Sequence, residues 1–391
     1  MAGERVTSIE MIRRLVGFDT VSARSNLAMI DFVRQYLAGH GIATHLVPNS
    51  HGDKANLFAA IGPDAPGGVL LSGHTDVVPV EGQPWSSDPF ALAERDGKLF
   101  GRGTADMKSF IAVALAMAPE LKNRTLRRPI YFAFSFDEEI GCLGAPLLIE
   151  RLGRDLPKPA LAIVGEPTSM KVVNAHKGVC AYATTIIGRD AHSSAPQLGA
   201  NAILFMGRFI AFLDGLTTEL KAEGDGAAIP GLEFDPPWTT LGLGVIHGGT
   251  ALNIIARECR LDWEFRPLPG VDAAAIRTRA ERFVADRLLP DLRRAAPDGS
   301  IVIAELCNAP ALRPEAAGAA EALALRLTGS NRTATASFGS EAGQFQESGI
   351  STVMCGPGDI AQAHQPDEFI AVDQVRQCEG FLRRLADWAA S

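Results

Sequence analysis

Gly68-Val69-Leu70-Leu71-Ser72-Gly73-His74-Thr75-Asp76 is an apolar run that stops abruptly on a histidine and a carboxylate. The same arrangement recurs along the chain. Pro129–Phe136 ends in Asp137-Glu138-Glu139, and Ala160–Val164 ends in Gly165-Glu166-Pro167-Thr168. A fourth run, Ser351–Cys355, leads through Gly356-Pro357-Gly358 to Ala363-His364-Gln365-Pro366-Asp367-Glu368. These runs are continuous rather than alternating, which is the mark of strands buried on both faces of a largely parallel sheet. Between them, Phe110, Val113, Ala114, Met117 and Leu121 fall at helical spacing, with Asp106 placed to cap that helix. A second helical pattern runs from Val372 to Trp388. The fold expected is α/β, with a mixed, largely parallel sheet in the main domain and helices on both faces.

The middle of the chain has a different rhythm. Strand-like Val179–Gly188 is followed by a helical stretch over 201–216, then by strand-like 239–246 and 257–266. Helical 272–289 and strand-like 301–306 complete it. The order β-α-β-β-α-β is the ferredoxin-like split pattern. It places a domain at 179–309, inserted in a larger domain made of 1–178 and 310–391. The Gly- and Pro-rich stretch Lys221–Pro237 is read as a loop.

Composition narrows the function. At 391 residues the chain exceeds one ordinary core. Its 37 basic and 45 acidic residues give a net charge of −8, and it carries no basic stripe, so nucleic acid is not the expected partner. The longest apolar run, Phe110–Ala118, has nine residues, whereas a membrane span needs about twenty. The first fifteen residues are mixed with charges and hold no signal-peptide core. Six scattered cysteines without a C-x-x-C spacing read as free thiols of a reducing compartment, so the expected location is cytoplasmic.

Sites in open α/β sheets form at the carboxyl ends of the strands. Four such ends here each deliver a histidine or a carboxylate, and Asp106 follows the glycine-rich Gly101-Arg102-Gly103-Thr104-Ala105 loop. Mixed nitrogen and oxygen donors of this kind suit Zn2+, with Co2+ or Mn2+ as alternatives. Ordinary polar residues at strand ends are the competing reading.

The chain resembles the M20 family of co-catalytic metallohydrolases over essentially its whole length. S-G-H-T-D, G-R-G-x-x-D-M-K, D-E-E and G-E-P-T occur in the family's order, with 32, 33 and 27 residues separating His74, Asp106, Glu139 and Glu166. Within the family it looks most like the N-acetylornithine deacetylases, through Phe338-Gly339-Ser340-Glu341-Ala342-Gly343 and the Cys355–Glu368 segment. That resemblance implies a metal-dependent amide hydrolase of arginine biosynthesis that releases acetate from a small N-acyl amino acid. N-succinyl-diaminopimelate, another N-acyl amino acid or a dipeptide are the alternative substrates. A catalytically silent relative that binds an amino-acid derivative is the alternative outside enzymes.

Carried over by position, the resemblance implies two divalent metal ions per chain. His74 and Glu166 would hold one, Glu139 and His364 the other, and Asp106 would bridge them. Asp76 would accept the free ring N–H of His74, and Glu138 would be the general base. His192 would reach the neighbouring subunit's site and stabilise an oxyanion, which implies a homodimer. Asn253, Arg266 and Gly339 would line the substrate, with inserted-domain closure bringing the first two and His192 onto it. Glu341 would match the substrate's ammonium. Plainer readings stand beside these: Arg266 as an ion-pair partner of Glu264 or Asp262, His192 as an interface histidine, and Glu341 as a helix-cap carboxylate.

Overall fold

A computed structural model of the chain describes residues 6–65, 67–224 and 232–391, so part of the Lys221–Pro237 stretch, 225–231, lies outside the described residues. The chain divides into two compact units. The first comprises Met1–Ala175, Leu312–Thr335 and Ser340–Ser391, and the second His176–Ala311 with Ala336–Gly339.

The first unit is built on an eight-stranded sheet. Its strand order is Thr44–Pro48, Ala55–Ile61, Ile130–Ser135, Val69–His74, Leu161–Pro167, Ser351–Gly356, Val172–His176 and Thr333–Ala336. The four central strands, Ile130–Ser135 through Ser351–Gly356, pair in parallel and are buried along nearly their whole length. Their near-continuous Val, Ile, Leu and Phe content is the sequence form of that double-sided burial.

The helix Lys108–Asn123 packs against strand Val69–His74 and against the helices Ser8–Val16 and Val372–Ala390. It is buried on almost every side, as expected for a helix apolar all round. Gly165 lets this helix approach the sheet, because a Cβ there would stand 2.0 Å from the Phe110 ring. Asp106 does not cap the helix. The N-cap position falls to Met107 and no side chain caps it, because the Asp106 carboxylate is turned toward two histidines. A small three-stranded sheet pairs Phe369–Ala371 with Lys98–Phe100, and Lys98–Phe100 with Ala93–Arg95. This pairing sets the chain after His364 beside the chain leading to Asp106.

The second unit has one antiparallel sheet in the order Thr240–Gly248, Glu258–Arg266, Val179–Ile187, Ser300–Ala309. Numbered within the unit this is 2-3-1-4, the split β-α-β arrangement. The helix Ala202–Gly224 packs on three of its strands, and a π-helical turn, Val284–Leu288, joins the helices Ala273–Phe283 and Leu289–Ala295. Tyr182, Phe209, Trp263 and Phe265 form the aromatic centre of its core. Among the described residues no helix is long and apolar enough to cross a membrane.

Candidate metal centre

Because the four central strands run in parallel, their carboxyl ends share one edge of the sheet. Strand Val69–His74 ends on His74, Leu161–Pro167 carries Glu166 at its tip, and Ile130–Ser135 passes directly into Asp137-Glu138-Glu139. The chain after Ser351–Gly356 returns to that edge at His364. Asp137 and His364 both adopt left-handed backbone conformations, with φ of +56° and +63°. That region is uncommon for residues other than glycine and is held only where the surroundings enforce it.

The side chains converge closely. Ligand atoms of His74, Asp106 and Glu139 all lie within 4.8 Å of one another. His74 Nε2 is 2.9 Å from Asp106 Oδ1, and His364 Nε2 is 3.4 Å from Asp106 Oδ2. His364 Nε2 also stands 3.1 Å from Glu139 Oε2. Asp106 thus divides its two oxygens between two imidazoles. His74 and Asp106 are buried, whereas the His364 side chain is 52% exposed.

The main-chain carbonyl of Asp76 lies 2.9 Å from His74 Nδ1 and fixes the ring tautomer, while the Asp76 carboxylate stands 3.6 Å away. This departs from the expectation that the carboxylate accepts that N–H. The carboxylate instead accepts the main-chain N–H groups of Glu138 and Glu139, at 3.1 and 3.2 Å, and the Ser22 hydroxyl at 2.7 Å. It therefore orients the paired glutamates. Lys54 secures the same loop by donating to Asp137 and to the Ser22 carbonyl.

The electrostatics describe a site short of positive charge. Burial, reinforced by Glu139, Asp106 and Asp76, pushes Glu138 up to about 8. Burial and Asp106 push Glu139 up to about 7. Glu166 is driven well above the carboxylate range by burial, then by Asp106 and Glu138. Burial disfavours a charged His74, yet Asp106 and Asp76 outweigh it and hold the imidazole well above its usual range. Hydrogen bonds to Asp106 and Glu139 raise His364 to about 10.

Glu166 Oε1 is buried without a hydrogen-bond partner, a costly state for a carboxylate oxygen. Two imidazoles, four crowded carboxylates and one orphaned acceptor fit divalent cations of the Zn2+ class. Protons alone satisfy such a set poorly.

Glu341 is 1% exposed, and its two oxygens accept the hydroxyls of Ser72 and Ser135. The expectation that it meets a substrate ammonium does not fit this geometry, because both carboxylate oxygens are engaged by serine hydroxyls of the strands Val69–His74 and Ile130–Ser135. The remaining expected residues belong to the second unit. His192 is exposed and its Nδ1 accepts from Ser194 N at 3.1 Å, which leaves Nε2 as the protonated nitrogen. His192 pairs with Ile254 in an isolated antiparallel bridge, and Ser193 N donates to the Asn253 carbonyl, so His192 and Asn253 share one surface. Arg266 forms a two-pronged pair with Glu264, at 2.9 and 3.4 Å. Gly339 is closely packed, since a Cβ there would meet Val179 at 2.4 Å.

Sequence reasoning missed several supporting groups. Cys142 Sγ donates to Glu138 Oε1 at 3.3 Å. Glu368 accepts the main-chain N–H of Ala105 and Asp106. Glu368 and Arg102 stood inside segments that already carried a ligand, and that was their only signal; Lys54 and Cys142 gave none.

Residues 70–388 match the sequence family described as peptidase family M20/M25/M40. Acetylornithine deacetylase of Pasteurella multocida is 34% identical over 386 residues, covering 96% of each chain. Acetylornithine deacetylase of Myxococcus xanthus is 35% identical over 379 residues, covering 95% of each. Among solved structures, an M20 family metallo-carboxypeptidase from Sulfolobus solfataricus superposes with a TM-score of 0.76 at 17% identity, covering 98% of this chain and 99% of that one.

Proposed function

This chain belongs to peptidase family M20/M25/M40 and is a metallohydrolase, and from that premise we propose that it removes the acetyl group from N2-acetyl-L-ornithine, giving ornithine and acetate. The observation that carries the chemistry is the division of Asp106 between His74 and His364. The similarity to acetylornithine deacetylases over nearly the full chain supports the substrate.

Two divalent cations, one between His74 and Glu166, the other between Glu139 and His364, with Asp106 shared, would supply Lewis-acid polarisation of the carbonyl and a more acidic water. Glu138 is the general base. It takes a proton as water attacks the amide carbon, then returns it to the nitrogen as the C–N bond breaks. Asp76 holds Glu138 and Glu139 by their main-chain N–H groups, so the two carboxylates keep separate tasks. His192, with Nε2 as donor, is the candidate for the developing oxyanion. Asn253, Arg266 and Gly339 are the candidate substrate contacts, and a guanidinium can grip a substrate carboxylate in bidentate fashion.

We also propose a homodimer through the second unit. Strand Thr240–Gly248 is an edge strand, and Leu243, Val245, Ile246 and the fully exposed Leu252 line that region. An apolar open edge of this kind is a template for pairing with another copy. The burial of Glu341 favours a second substrate reading, in which the enzyme hydrolyses other N-acyl amino acids, because it removes one reason to expect an ornithine side chain.

The test is kcat/KM of the metal-reconstituted protein on N-acetyl-L-ornithine, N-succinyl-diaminopimelate and N-acetylmethionine. A preference for acetylornithine of about 100-fold, or near 2.7 kcal/mol in transition-state binding, supports the first reading. A different winner keeps the chemistry and replaces the substrate.

A further inference from the structure

We infer that Gln83, Arg102 and Glu368 form one positioning unit that sets how tightly the His364 side of the metal centre holds its cation. The inference rests on the metal-dependent reading above. Arg102 is 0% exposed and Glu368 1% exposed. Arg102 Nη1 donates to Glu368 Oε2 at 2.7 Å, and Nη2 donates to Gln83 Oε1 at 2.5 Å. From this hub two arms lead to the site. Glu368 Oε1 accepts Ala105 N at 2.8 Å and Asp106 N at 3.1 Å, which fixes the backbone of the shared carboxylate. Gln83 Nε2 donates to the His364 carbonyl at 2.9 Å.

The arms end on the two residues joined by the 3.4 Å contact between His364 Nε2 and Asp106 Oδ2. Their support is asymmetric. Asp106 is buried at the start of a packed helix, whereas His364 lies on a half-exposed loop in a left-handed conformation. Besides Gln83, that loop is tied to the 79–86 segment by Asp367, whose carboxylate accepts from Ser86, and to Arg102 by the Gln365 carbonyl, which accepts from Nη1. A ligand on such a loop depends on its anchors for pre-organisation. Groups that orient metal ligands from outside typically account for about 10–100-fold in metal affinity. Gln83 serves both arms, taking the guanidinium with its oxygen and holding His364 with its nitrogen.

The test is stepwise Zn2+ binding to the metal-free full-length protein, by competition with a chelating indicator, alongside thermal unfolding. His364→Ala identifies the step that depends on His364. Gln83→Met, close in size and only half-buried at its site, should weaken that same step by about 10-fold or more and leave the other within about twofold. Its metal-free Tm should stay close to the parent's. Glu368→Gln should weaken both steps, because Asp106 faces both histidines. If Gln83→Met leaves the His364-dependent step unchanged, or lowers both steps together with Tm, the positioning role is overturned. If the parent protein binds fewer than two Zn2+ per chain, the metal reading itself fails.

Discussion

The metal centre of the first unit and the candidate substrate face of the second are built on opposite principles. The centre is a largely buried cluster in which four carboxylates crowd two imidazoles, so the fold spends its polar groups holding it in place. Asp76, Lys54, Glu368 and Cys142 each fix part of it. The face that carries His192, Asn253 and Leu252 is exposed and lightly tied, with short-range contacts among its own residues. A cluster that polarises water must be rigid before substrate arrives. A surface that meets a substrate or a second subunit can be ordered by that meeting.

The sharpest way to break this comparison is Glu138→Ala. It should lower kcat by at least about 1,000-fold, or 4 kcal/mol, while metal content by elemental analysis stays near the parent value. Turnover that survives would move the base elsewhere. Arg266→Leu tests a candidate substrate contact at the other end of the second unit's sheet, where Arg266 pairs with Thr240. Loss of a bidentate carboxylate contact should raise KM about 10–100-fold with a smaller change in kcat. A drop in Tm with unchanged KM would make Arg266 only the partner of Glu264.

Two smaller effects separate depth from reach. Glu341→Gln should cost about 1–3 kcal/mol of stability in denaturant unfolding, as a buried acceptor pair is disturbed, and leave the ranking of N-acyl substrates unchanged. A changed ranking would return Glu341 to the substrate. His176 is fully buried, and burial lowers it from 6.5 to about 4. The unfolded chain takes up this proton near pH 6.5 and the folded chain only near 4. The parent therefore loses up to about 3 kcal/mol as pH falls through that window, and nothing from this group above it. In His176→Gln the decline should be shallower by that amount, read from unfolding free energies at pH 6.5 and 4.

Much of the architecture is legible in local pattern. Four continuous apolar runs mark the central strands, and the β-α-β-β-α-β rhythm marks the antiparallel sheet. Asp106 was doubly plausible, as a cap and as a ligand, because an aspartate before a helix satisfies both patterns. Only the cluster geometry separates the two roles. Asp76 and Glu341 departed from expectation for one reason: sequence gives a residue's type and its distance along the chain, but not its depth. Asp76 uses its carbonyl where its carboxylate was expected, and Glu341 accepts from two serines where a substrate ammonium was expected.

Local pattern in the chain was enough for the strands and for the order and type of the residues at their ends, because periodicity and short-range spacing act within a few residues of the chain. Tertiary structure decided which atom of each residue meets which partner. Gln83 and His364 lie 281 residues apart and meet where tertiary contacts, among them the pairing of Lys98–Phe100 with Phe369–Ala371 and the Ser86–Asp367 bonds, bring their segments together. Packing sets depth and desolvation, but Glu166 and Glu341 are almost equally buried, and their partners separate them: both Glu341 oxygens accept serine hydroxyls, whereas Glu166 Oε1 has no hydrogen-bond partner.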